Sequence, residues 1–292
     1  MKKNLRIRSL RLEPMLVAAI TQPLPLDTTR LGLSHQLDCF APVKFALTPQ
    51  GDGCAIAEIP RAANPHDCEK LASQALDGVE SWIDRGFPAR GETDAERELQ
   101  IVARGNAGSV DSEIARSLDE TDWSWEESDS ATYRVFVTTA SGSIGRVKIQ
   151  RIGSNALHVS SESTVQVSDI VAKEALTHFA LDTNRRLRIA RLTVSDADGE
   201  AMRLVWDAIA PAELGVSVAL PRLIEAVAFA RAETSLALVA LADECIATLY
   251  LDHRFPVQRK PGSQSGVDLA HASAVPAEAE SMIQYDNHIK EL

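Results

Sequence analysis

Apolar and polar positions alternate with two different periods along this chain, and each change of period marks an element. Leu5 and Ile7 alternate with Arg6 and Arg8, and Met15 to Ile20 is a short continuous apolar run. Both patterns predict strands, because successive strand side chains point to opposite faces. Val43 to Leu47 and Cys54 to Ile59 are further apolar runs, separated by Pro49-Gln50-Gly51-Asp52-Gly53. That spacing predicts a β-hairpin, since glycine supplies the positive φ that tight turns demand. Asn64-Pro65 then opens a helix, with asparagine as cap and proline at the first helical position. Leu71, Ala75, Leu76, Val79 and Ile83 form its apolar face at near-3.6 spacing.

Past the breaker-rich Gly86 to Gly91, the pattern predicts helices over 94–104 and 111–118, with Gly105-Asn106-Ala107-Gly108 between them. Strands follow at Trp123 to Trp125, Tyr133 to Thr139, Arg146 to Ile152 and Ala156 to Ser160, with glycine- and serine-containing turns, as in an antiparallel meander. A helix capped by Ser168 turns Val171, Ala175, Leu176 and Phe179 inward. Then come a strand over Leu187 to Val194, a turn at Asp196 to Gly199, a return strand over Ala201 to Trp206 and, after Pro211, a helix with Leu220, Leu223, Ile224 and Val227 inward. The order of strand, Asp-Gly turn, strand and helix therefore occurs twice, with Gly53 and Gly199 lying 146 residues apart. This predicts an α+β protein of two related modules, each an antiparallel sheet packed with helices. The expected domains are a truncated module at 1–85, a linker at 86–94, a fuller module at 95–251 and a flexible tail at 252–292. Pro256, Pro261-Gly262-Ser263 and Pro276 mark that tail.

Composition narrows the class. The 292 residues are 45% hydrophobic and 24% charged, enough apolar material for a folded core, and the formal charge is -11. An acidic balance counts against broad phosphate neutralisation, so no nucleic-acid partner is expected. Four cysteines do not make a disulfide framework in a chain this long. The run Met15 to Ile20 is too short for a secretory core, which needs about 7–15 apolar residues. Leu236 to Leu251, the most apolar late stretch, carries Asp243 and Glu244 at its centre, where mid-membrane carboxylates are costly. A cytoplasmic protein with no membrane partner is the expectation.

Candidate chemistry is sparse. His35, Cys39, Cys54, His66 and Cys68 fall in the first third, and a metal- or small-molecule-binding role for His35, Cys39, His66 and Cys68 is the alternative reading. Their spacing matches no standard zinc knuckle, so no metal or other cofactor is assigned. The nucleophile elbow, the phosphate loop and the His-Glu-x-x-His motif are all missing from the sequence, and no catalytic residue is expected. His158 and His178 read as structural histidines. Arg185, Arg186, Arg188 and Arg191, near Arg146, Lys148 and Arg151 in the meander, read as the solvated face of a sheet, because Leu187 and Ile189 alternate with Arg188.

The segment from Ala175 to Gly199, with Asn184 and the Asp198-Gly199 turn inside a fixed pattern of apolar positions, resembles the type III secretion chaperone-like fold, which includes the YbjN-like proteins. The resemblance covers roughly residues 95 to 251, and the first 85 residues look like an incomplete second copy. It implies a non-catalytic protein that holds a protein or peptide client, chaperone- or adaptor-like. It also implies an intramolecular pseudo-dimer from the duplication, with a further homodimer open. Trp125, Tyr133 and Phe136 are the candidate partner-binding residues, each also suited to a core.

Overall fold

Alternating strands leave one apolar face to be buried, and two antiparallel sheets do this here. The computed structural model describes residues 15–19, 43–48, 51, 53–60, 110–129, 132–138, 144–152, 156–167, 169–197, 199–211 and 215–254. The first sheet contains β1 (Met15–Ala19), β2 (Val43–Leu47) and β3 (Gly53–Pro60), in the order β1-β3-β2. Gly51, at φ 87°, closes the β2–β3 turn, and its N–H donates to Thr48 O at 2.9 Å. Every β2 residue is buried, so this strand is covered on both faces.

The main body begins with α1 (Val110–Asp119) and continues through β4 (Ser124–Asp129), β5 (Thr132–Thr138), β6 (Ile144–Ile152) and β7 (Ala156–Gln166). After α2 (Ile170–Asn184) come β8 (Arg191–Asp196), β9 (Ala201–Pro211), α3 (Val216–Ala240) and α4 (Glu244–Arg254). Its six strands run in the order β4-β5-β6-β7-β9-β8, every pair antiparallel. Cross-strand partners Tyr133, Ile149, Val159 and Ala208 make one buried apolar row. Helix α3 crosses β6, β7 and β9, and α1 packs on α3. The indole of Trp206, on the same face as Ala208, donates from Nε1 to Thr234 Oγ1 of α3 at 2.7 Å. As the spacing predicts, Leu220, Leu223, Ile224 and Val227 are buried.

The α+β class and the antiparallel pairing agree with the sequence pattern, while several boundaries differ. Helix α2 is capped by Asp169, whose Oδ1 accepts from Val171 N at 2.7 Å and Ala172 N at 3.1 Å, not by Ser168. An ionised carboxylate facing the open N–H groups of a first turn is a strong cap. Strand β8 begins at Arg191, not Leu187, because the chain leaves α2 through an irregular segment in which Ile189 has φ 63°. The acidic pair Asp243-Glu244 sits where α3 and α4 meet at a 110° bend, and Asp243 caps α4 by accepting from Cys245 N and Ile246 N. No single helix among the described residues is long and apolar enough to cross a membrane.

The described residues all fall in one compact unit, and α4 runs on to Arg254, so the rest of the expected tail lies outside the described residues. The expected linker at 86–94 and the helix expected from Asn64 to Ile83 lie outside the described residues. The two hairpins of the proposed repeat share one device, a positive-φ glycine at Gly51 and at Gly199.

Helix α2 ends on Asn184, whose side chain occupies the space between two sheet edges. Its Oδ1 accepts from Leu192 N at 2.7 Å, while Nδ2 donates to Leu192 O and to Phe45 O, each at 2.9 Å. The amide thus pairs with edge strand β8 much as a neighbouring strand would, and reaches edge strand β2 at the same time. An unpaired buried backbone group costs about 1–3 kcal/mol. Asn184→Ala takes the partner from the Leu192 N–H and carbonyl, so urea denaturation is expected to show a loss of at least about 2 kcal/mol. A loss under about 0.5 kcal/mol, typical of surface substitutions, would contradict this role.

Candidate functional site

Single charges inside otherwise apolar strands converge where the small sheet meets β8 and β9. Lys44 and Glu58 are diagonal neighbours on one face of the β2–β3 pair, with Lys44 opposite Ile56. Both are buried, and Lys44 Nζ donates to Glu58 Oε2 at 2.7 Å and to Leu187 O. Glu58 also accepts from Ile189 N at 2.7 Å and from Arg188 at 3.2 Å. Burial lowers the Lys44 pKa, with the Glu58 charge and hydrogen bond acting against it. The unusual φ of Ile189 is held by its N–H bond to Glu58. A β-branched residue in that region is strained by about 1–3 kcal/mol, which the surroundings must offset.

The second pair lies across β8 and β9. Arg191 clamps Asp207 through Nε and a terminal nitrogen, both at 2.7 Å, and sends its other nitrogen to Val43 O at 3.0 Å. His158 Nε2 lies 3.2 Å from Asp207 Oδ2. Burial alone would raise the Asp207 carboxyl, but the Arg191 charge and the bonds from His158 and Arg191 outweigh it and hold the group well below the usual carboxylate range. Lys44, Ile189, Arg191, Asp207, Ala208 and Ile209 line a small recess between the two ionic groups.

This placement corrects the reading of Arg191 as part of a solvated face, whereas Arg146, Lys148, Arg186 and Arg188 are exposed as that reading has them. Arg134, Lys148, Ser160, Asp207 and Arg191 do form one polar cross-strand row. Only its β5–β6 end is exposed, and from Ser160 onward the row is buried. His158 has the partner that sequence alone withheld, although among the described residues no hydroxyl or thiol bonds its other nitrogen. His178 is buried on α2, and desolvation lowers its pKa against the opposing charge of Glu174.

The three candidate partner-binding residues do not share one surface. Trp125 and Tyr133 meet edge to face at 5.9 Å, and Trp125 Nε1 donates to Asp119. Tyr133 is buried with the core face of β5. Phe136 lies on the opposite face, under the Arg146 guanidinium at 5.6 Å. Of the His/Cys group only Cys54 is described; His35, Cys39, His66 and Cys68 lie outside the described residues. Burial pushes the Cys54 thiol up to about 11, which suits a small apolar filler rather than a nucleophile. Among the described residues no three His, Cys, Asp or Glu side chains gather as a metal site requires.

Sequence reasoning missed Lys44, Glu58 and Asp207. The signal was present, because each is one charged residue inside an apolar strand run: Val-Lys-Phe-Ala-Leu, Ala-Ile-Ala-Glu-Ile and Val-Trp-Asp-Ala-Ile. A lone charge at such a position needs a buried partner.

No family model matches this chain, and neither does any curated protein. Among solved structures it is similar to YbjN from E. coli, a candidate transcription regulator, at 16% identity and a TM-score of 0.32. The match covers 45% of this chain and 94% of that one.

Because the Asp207 pKa is depressed on folding, its contribution is complete above the unfolded carboxyl value of about 4 and is lost as pH falls toward the lower native value. Acid denaturation is expected to steepen below about pH 4. Asp207→Asn is expected to flatten that slope and, by taking the buried carboxylate away from Arg191, to cost about 3–5 kcal/mol at neutral pH. Chemical denaturation of both forms from pH 3 to pH 7 measures both effects; identical slopes would contradict the assignment.

Proposed function

We propose that this is a non-catalytic binding protein that holds a polypeptide partner through the outer face of α3 and the adjoining α4. The observation that carries this reading is a set of large apolar side chains left exposed on those helices. Phe229, Leu236 and Val239 are 61%, 84% and 62% exposed on α3, and Ile246 and Leu249 are exposed on α4. Soluble domains rarely leave contiguous apolar area open, and such area usually marks an interface. Helix α3 is already fully committed on its other side, with Leu220, Leu223, Ile224, Val227 and Leu238 in the core. A helix apolar on both sides has two surfaces to cover.

Spacing and charge point to the kind of partner. Phe229, Ala232, Leu236 and Val239 recur at intervals of three, four and three residues, the seam of a helix that receives another helix. Exposed Glu225, Glu233, Asp243 and Glu244 flank the seam. An amphipathic helix with lysine or arginine beside its apolar stripe is the complementary partner. Strand addition is the poorer mode. The β4 edge carries exposed Glu126 and Glu127 and a register shift, both of which discourage pairing, and the β8 edge is taken by Asn184.

A synthetic amphipathic helix with lysine flanks should bind the full chain saturably, as read by fluorescence anisotropy, and a glutamate-flanked version at least tenfold more weakly. The double variant Leu236→Glu, Val239→Glu should weaken binding at least tenfold while leaving the melting temperature within about 2 °C, since both positions are exposed. Equal binding of both peptides would overturn the reading. So would a homodimer that the double variant dissociates, because the face would then serve a second copy of the chain.

A further inference from the structure

The large sheet is covered on one face and only half covered on the other. Helix α3 lies on the face of Val147, Ile149 and Trp206, where Gly145 approaches Ala228. On the opposite face burial stops at Ser160, and the β5–β6 half stays open, with Arg134, Arg146 and Lys148 exposed.

Register gives this open half an unusual charge pattern. Lys148 stands directly opposite Arg134 on β5 and Ser160 on β7, while Arg146 stands opposite Phe136. Like charges directly opposite one another are destabilising in a sheet. The acids nearby are already committed or remote. Glu126, opposite Arg134, lies 3.5 Å from it, and Glu162, two residues beyond Ser160, lies 2.9 Å from Arg203. Asp129 pairs opposite Thr132, in the next row and two strands from Lys148. Among the described residues no carboxylate pairs with Arg146 or Lys148. The Arg146 guanidinium instead rests over the Phe136 ring at 5.6 Å, which holds it in place while its N–H edge stays free for an acceptor.

From this arrangement we propose that the outer face of β5 and β6 binds an extended acidic polypeptide segment, with Arg146 and Lys148 each taking one carboxylate. Alternate residues on one face of a strand lie about 6.8 Å apart. An extended segment running along β6 repeats that interval, so carboxylates at every second position meet Arg146 and Lys148 in turn. A nucleic-acid strand fits less well. Phe136 is already covered by Arg146 and offers no open ring for base stacking, and a long polyanion meets the formal charge of -11. The strip is independent of the α3 seam, which lies beyond the opposite face of the sheet.

Fluorescence anisotropy on the full chain tests this, using a short labelled peptide of alternating glutamate and threonine. In about 0.15 M NaCl, diffuse charge beyond roughly 8 Å is screened. Saturable binding is expected, weakened at least about threefold by Lys148→Gln and by Arg146→Gln. Lys148→Arg, which keeps the charge, is expected to bind as the wild type does, separating lost charge from lost fold. Arg116→Gln removes one positive charge from the exposed side of α1, and Leu236→Glu with Val239→Glu alters the α3 seam; both are expected to leave binding unchanged. No saturable binding, equal weakening by Arg116→Gln, or equal binding of an isomeric peptide with its glutamates grouped at one end would overturn the proposal. So would a single-stranded oligonucleotide that binds more tightly than the peptide, or a dimer of the chain that Lys148→Gln dissociates, because the face would then serve a nucleic acid or a second copy.

Discussion

The amide of Asn184 closes two open sheet edges at once. An edge strand presents unpaired N–H and C=O groups, and a second sheet cannot be buried against them unless they find partners. Asn184 offers one acceptor and two donors in a plane, which is what the Leu192 N–H, the Leu192 carbonyl and the Phe45 carbonyl require. A carboxylate would lack the donors, and an apolar residue would lack both. Without this side chain, the Leu192 N–H and carbonyl on the β8 edge would lose their partner.

The buried ionic groups depend on that closure and reinforce it. Arg191 binds Asp207 within the large sheet and the Val43 carbonyl in the small one, while Lys44 binds Glu58 within the small sheet and the Leu187 carbonyl beyond α2. Each cation therefore has one foot on either side of the junction. Burying ions in this way seldom adds stability over well-packed apolar side chains, and removing one partner is strongly destabilising. Their effect here is geometric, since a shift of β2 along β8 would strand a lysine and an arginine together. The strained Ile189 backbone lies between them, held by Glu58.

Much of the large sheet was legible from period alone. Tyr133, Val135 and Val137 alternate with exposed or half-exposed neighbours, and the pattern placed β5, β6 and the inward face of α3 closely. The signal failed where tertiary partners override alternation. Leu187, Arg188 and Ile189 alternate as a strand would, yet Glu58, well over a hundred positions away, captures the Ile189 N–H and the chain turns instead. Arg191 and Asp207 occupy polar-face positions that ought to be solvated, yet both are buried, with Arg191 bonded to the Val43 carbonyl of β2. The α3 seam escaped notice for a different reason: spacing marks an inward face only as far as Val227, and beyond it apolar residues occur on every side of the helix, so the pattern does not separate those that meet the core from Phe229, Leu236 and Val239.

The Leu192 amide gives the most direct test of the account, since that one N–H reports whether Asn184 closes the β8 edge. Hydrogen exchange followed residue by residue by NMR should find Leu192 protected to the same degree as amides of the β8–β9 ladder, although no strand pairs with it on that side. Asn184→Ala should restore fast exchange at Leu192 before the ladder itself opens. Exchange at Leu192 in the wild-type chain as rapid as at an exposed edge would contradict the account.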